Sequence, residues 1–127
     1  MHIVRASDCE FEAASHEDPK NPGVLKKVLA GRDDFLDGRV QMLNWALLPK
    51  GSRFQAHYHE DMAEAFLLLG GPVGVRVGDE ESELQRGDLL IVPPKAIHEM
   101  WNKSEGDLEY IVFGVSLGQG GKTVIVE

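Results

Sequence analysis

Gly51-Ser-Arg-Phe-Gln-Ala-His57-Tyr-His59-Glu-Asp-Met-Ala-Glu64 sets two histidines two residues apart in a segment that reads as extended. Side chains alternate between the faces of a strand, so His57 and His59 share one face. Glu64 follows just before the apolar run Ala65-Phe-Leu-Leu-Leu69 and Gly70-Gly71. One turn between His59 and Glu64 brings the carboxylate, on a second strand, beside the imidazoles. Imidazole and carboxylate together suit a divalent transition metal.

A second stretch lies downstream, Gly87-Asp-Leu-Leu-Ile-Val-Pro93-Pro-Lys-Ala-Ile-His98-Glu-Met-Trp-Asn102. An apolar strand ends at Pro93-Pro94, turns, and returns as a strand carrying His98. Three histidines and one glutamate then converge. The two stretches resemble the two motifs of the cupin superfamily. The first motif is met by Gly51, His57, His59, Glu64 and Gly71, the second by Gly87, Pro93, His98 and Asn102. The one departure is Lys95, where the family usually has a turn glycine. That puts the local turn in question and leaves the ligand set intact.

The resemblance implies a metal held by His57, His59, Glu64 and His98. Physical chemistry favours the same set. Unpaired polar and charged groups inside a barrel cost free energy, and a divalent cation accepts all four at once. An octahedral ion keeps two positions open for water, substrate or dioxygen, which marks a catalytic rather than a structural site. Mn, Fe, Ni, Co and Zn all suit the donor set. Glu60 and Asp61 read as solvated, and one of them replaces Glu64 if the turn slips.

Arg53 and Gln55 have the parity of His57 and are candidates for the cavity mouth, where Arg53 suits a carboxylate or phosphate; the other reading of Arg53 is a rim residue in water. Phe66 and Met100, with Trp101 or Tyr110, are candidates for an apolar wall, although parity sets Trp101 opposite His98. Asn102 either lines the pocket or serves as a hydrogen-bonding turn residue.

The chain has 127 residues, 43% apolar and 27% charged, which suits one soluble domain over residues 1–127, with the motifs at 51–71 and 87–102. The net charge of -8 argues against nucleic acid and anionic membrane as partners. The single cysteine, Cys9, forms no internal disulfide and lies in a polar stretch without basic neighbours, so it reads as structural or incidental. No apolar run spans a bilayer and the N-terminus shows no signal pattern, so cytoplasm is the default compartment.

Taken in order, a short strand is expected at His2–Arg5, then a polar loop to Pro22; His2 and His16 fit no ligand spacing and read as surface residues. Val24–Ala30 is a strand and Gly31–Gly38 a loop or one helical turn. Arg39–Leu48 is the longest strand, with Leu43, Trp45 and Leu47 on its buried face and apolar residues on the other face too. Further strands cover Pro72–Val77, Leu89–Val92, Ile97–Asn102, Leu108–Val115 and Lys122–Val126. Gly78–Ser82 is an acidic hairpin turn, and Gly118–Gly121 a flexible loop. About ten short strands with regular turn signals indicate an all-β fold, an antiparallel double-stranded β-helix or jelly-roll barrel.

Two functions follow. One is a metal-dependent enzyme on a small organic molecule, which within the resembled family means a dioxygenase, a decarboxylase, or an isomerase of sugars or sugar phosphates. The other is a small-molecule-binding or sensing module without turnover. The doubly apolar strand 39–48 offers an outer face for a homodimer, with the N-terminal strand crossing to the partner.

Overall fold

The computed structural model describes residues 1–35, 39–116 and 122–126. Within them lie eleven strands: β1 (Glu12–Ala13), β2 (Leu25–Gly31), β3 (Val40–Leu48), β4 (His57–His59), β5 (Met62–Leu68), β6 (Val73–Val77), β7 (Glu80–Leu84), β8 (Leu89–Val92), β9 (His98–Asn102), β10 (Leu108–Ser116) and β11 (Thr123–Ile125). Two single-turn 3-10 helices, Ala6–Asp8 and Arg32–Asp34, are the only helical elements among the described residues. The fold is all-β. One sheet has six strands in the order β1-β2-β3-β10-β5-β8, the other five in the order β11-β4-β9-β6-β7. Every pairing is antiparallel.

Period-2 patterning builds the core between the sheets. On β5, Met62, Glu64, Phe66 and Leu68 face inward; on β10, Leu108, Tyr110 and Val112 do; on β9, His98, Met100 and Asn102. Leu48, Leu68, Val73 and Met100 are fully buried, each contributing about 1.5–3 kcal/mol of transfer free energy. Phe54, 2% exposed, closes the core from the segment before β4.

Turn chemistry sets the strand ends. Gly87 has φ 89° in the turn before β8, a left-handed conformation that glycine adopts without steric cost. Lys95 has φ 69°, so it takes the left-handed geometry of the glycine it replaces. Its backbone N–H donates to the His59 carbonyl at 2.7 Å, which ties the two motifs together.

Four expectations need correction. His2–Arg5 is not a strand: these residues are exposed and pair with no strand among the described residues, and the first pairing is β1 on β2. The buried face of β3 carries Asn44, Ala46 and Leu48, not Leu43, Trp45 and Leu47. The Trp45 indole N–H instead donates to Glu109 on the outer face, which gives the ring a polar partner there. Residues 80–82 of the acidic run belong to exposed strand β7, since Gly78-Asp79 alone completes the turn. His16 is not a surface residue, as described below. The Gly118–Gly121 loop and residues 36–38 lie outside the described residues.

Candidate metal centre

The local reason for the site is strand alternation either side of a tight turn. His57 and His59 share the inner face of β4, and His57 stands directly across from His98 on β9. Two residues of turn, Glu60-Asp61, then carry the chain over to the other sheet, where β5 presents Glu64 inward. The carboxylate thus faces the imidazoles across the interior. One donor atom from each of His57, His59, Glu64 and His98 lies within 4.8 Å of the others, and all four residues are buried. Glu64 Oε1 is 2.7 Å from His59 Nε2, 3.1 Å from His98 Nε2 and 4.0 Å from His57 Nε2.

The outer ring nitrogens are engaged elsewhere. His57 Nδ1 lies 2.6 Å from the Gln55 carbonyl and His98 Nδ1 3.0 Å from the Ala96 carbonyl. His59 Nδ1 lies 3.1 Å from Thr123 Oγ1 on β11. A carbonyl only accepts, so Nδ1 of His57 and of His98 carries a proton, and a neutral His57 ring keeps its Nε2 lone pair toward the cluster. Burial, with His16 and His98 close by, pushes the His57 pKa down to about 3, so the ring is neutral and able to coordinate near neutral pH. Burial alone would raise the Glu64 carboxyl. Hydrogen bonds and charge from His59 and His98 outweigh it and hold the group well below the usual carboxylate range. Neutral imidazoles and an ionised carboxylate are the forms a divalent ion takes, and the donor set fits one.

The cluster opens into a cavity of about 260 Å³. Phe66 and Tyr110 line it, as an apolar wall requires. The other pocket candidates lie elsewhere. Arg53 and Gln55 line a separate groove of about 970 Å³, and both are exposed. Residues 53–56 form no regular strand, so the parity of β4 is not carried back through them, and Phe54 turns inward instead. Phe54 packs at 5.4 Å from His57 and 5.9 Å from His98, ring centre to ring centre. Arg53 sits over Trp101 and 3.7 Å from Glu99. Met100 is core and does not line the cavity. Asn102 is a turn residue: its Nδ2 donates to the carbonyls of Leu48, Pro49 and Gly106, and its Oδ1 accepts from Ser104.

Several cavity residues escape the sequence reading, His16 and Asn44 among them. His16 stacks on His57 with ring centres 3.9 Å apart. Its Nδ1 lies 2.6 Å from Glu17 Oε2, and Glu17 in turn accepts from the N–H groups of Gly23 and Gln55. No local spacing announces this, because the contact joins a loop to a strand some forty residues away. Asn44 lines the cavity from β3. Its signal in the sequence is a lone amide in the apolar run Met42-Leu-Asn-Trp-Ala-Leu-Leu48, which is apolar on both faces and so does not say which face looks inward.

The profile of the cupin domain family matches residues 44–114, over half of the chain and inclusive of all four cluster residues. The chain belongs to the cupin family. This cupin is 28% identical over 102 residues to an uncharacterised protein of Methanocaldococcus jannaschii, with 80% of this chain and 78% of that protein covered. Over 50 residues it is 40% identical to quercetin 2,3-dioxygenase of Bacillus subtilis, a stretch that is 39% of this chain and 15% of the dioxygenase. Its fold is similar to the crystal structure of a predicted oxalate decarboxylase from Thermotoga maritima, with a TM-score of 0.80, 22% identity, and 91% and 100% of the two chains covered. Among the described residues of this cupin, no helix is long and apolar enough to cross a membrane.

Proposed function

We propose that this cupin holds one divalent transition metal through His57, His59, Glu64 and His98 and is a metal-dependent enzyme on a small organic molecule bound in the adjoining cavity. The reaction class is that of a dioxygenase, a decarboxylase, or a sugar or sugar-phosphate isomerase. Residues 1–127 act as one domain. The observation that carries the reading is the convergence of four buried residues with donor atoms within 4.8 Å of one another, three of them lining an accessible cavity. A bound divalent ion would supply Lewis-acid polarisation of a substrate oxygen, or redox chemistry if it is iron or manganese.

The chain's own residues do the rest. The Gln55 and Ala96 carbonyls and Thr123 orient the imidazoles. Phe54 and Phe66 pack against His98 and exclude water from behind it. Burial, with Glu64 and Glu17 nearby, raises the Tyr110 phenol far above its usual range, so it stays protonated as a donor at the cavity wall. Tyr110 gives the cavity a hydrogen-bond donor and His16 an imidazole stacked on His57, polar groups beside the cluster that favour turnover over simple binding.

Elemental analysis of purified protein beside a His57→Ala/His59→Ala variant tests the proposal. About one transition metal per chain, lost in the variant, supports it. Wild-type protein that holds no metal and takes none up on incubation overturns it in favour of a metal-free binding barrel. The proposal extends to a homodimer formed through the outer face of the six-stranded sheet, where Leu67, Leu89 and Ile91 are 38%, 53% and 64% exposed on adjacent strands β5 and β8.

A further inference from the structure

Asn44 is 4% exposed, and its Oδ1 is buried without a hydrogen-bond partner among the described residues. An unsatisfied buried amide is costly, and proteins keep one where something else satisfies it. Here it borders the cavity that His57, His59 and Glu64 of the cluster also line. Register fixes its position. Asn44, Val112 and Phe66 are cross-strand partners in one row of β3, β10 and β5, while Glu64 belongs to the next row with Gly114 and Met42. Asn44 therefore stands about 7 Å along the strands and about 10 Å across them from Glu64, measured on the backbone.

Lys26 lines the same cavity from β2. It is half-buried and makes no ion pair among the described residues, although Glu12 is its cross-strand neighbour on β1. Val28 is the register partner of Asn44 and Ala46 that of Lys26, so Asn44 and Lys26 are diagonal neighbours on one face, about 7–8 Å apart. An ammonium on a long flexible stem and an unpaired amide on neighbouring positions of one cavity face suit two groups of one small molecule. The ammonium selects an anion. The amide selects a hydroxyl, which can donate to Oδ1 and accept from Nδ2.

We infer that Asn44 and Lys26 form a recognition subsite for a small hydroxy acid, Asn44 reading the hydroxyl and Lys26 the carboxylate. This rests on the reading of the cavity as the small-molecule site and does not require the metal. A polar group left unpaired by the wrong ligand is what makes such a site discriminate.

The test is calorimetric titration of the protein with malate and with succinate, which differ by one hydroxyl. The series is repeated on Asn44→Leu and Lys26→Met, each before and after metal removal with EDTA. The expected result is malate bound at least about tenfold more tightly than succinate by wild type. Asn44→Leu abolishes that preference, and Lys26→Met weakens both acids together. Asn44→Leu also removes an unpaired buried amide, so its Tm rises by a few degrees, which shows that the variant is folded. Equal binding of the two acids, no binding of either, or an unchanged preference in Asn44→Leu overturns the inference. Metal content separates the two proposals. Preference for malate in protein that binds no metal supports the subsite while removing the metal enzyme; metal present without the preference removes the subsite alone.

Discussion

Glu64 decides the character of the cluster. It is the one anion among four donors and lies within 4.0 Å of all three imidazole Nε2 atoms. Glu64→Gln keeps the shape and removes the charge, so metal retained through dialysis falls by tenfold or more, read by elemental analysis; retention at the wild-type level would exclude Glu64 as a ligand. Acid sensitivity of the metal-free protein follows from His57 and Glu17. The folded pKa of His57 is depressed to about 3, so the unfolded chain takes up that proton first, from about pH 6.5 downward. Stability is present above that pH and is lost as pH falls toward 3. Burial would raise Glu17, but its bonds to His16, Gln55 and Gly23 depress it overall. Its contribution is present above the ordinary glutamate pKa and is lost at still lower pH. Both signs agree: urea denaturation midpoints should drop between about pH 7 and about pH 4.5, and a flat profile would contradict the neutral buried His57.

Between β8 and β9, the turn that carries Lys95 joins the two motifs. The left-handed φ of 69° costs a side-chain-bearing residue about 1–2 kcal/mol, partly offset because glycine loses more chain entropy. Lys95→Gly is therefore expected to gain about 0.5–1 kcal/mol and raise Tm by about 2–4 °C. Calorimetry checks this, and a lower Tm would mean that the lysine side chain stabilises the turn in another way. The same element shows how the sequence is read. The missing glycine marked the correct turn, because the requirement for φ > 0 is local and the backbone meets it with lysine. Strand β3 shows the opposite case. Both of its faces are apolar, so alternation alone does not say which looks inward, and only pairing with β10 and β2 decides.

At the scale of the molecule, the six-stranded sheet has one face on the core and one outside. The outer side of β5 and β8 exposes Leu67, Leu89 and Ile91 beside one another. This grouping is what the proposed dimer rests on. Leu43, Trp45 and Leu47 of β3, the strand expected to carry the interface, are only half-exposed. Sedimentation should give a dimer for wild type and a monomer for Leu89→Glu/Ile91→Glu with secondary structure unchanged. A wild-type monomer at micromolar concentration would remove the dimer.

The sequence by itself determined the strand-turn-strand order, the shared face of His57 and His59, and the return of Glu64 and His98 to them. Those depend on a period of two and on short turns, which few residues encode. Only the tertiary structure decided that Phe54 rather than Arg53 turns toward the cluster, because the irregular backbone of residues 53–56 breaks the alternation. Closure of the chain likewise brought His16 onto His57 and aimed Asn44 into the cavity. Contacts between residues so distant in sequence depend on how whole sheets pack, and no local pattern records them.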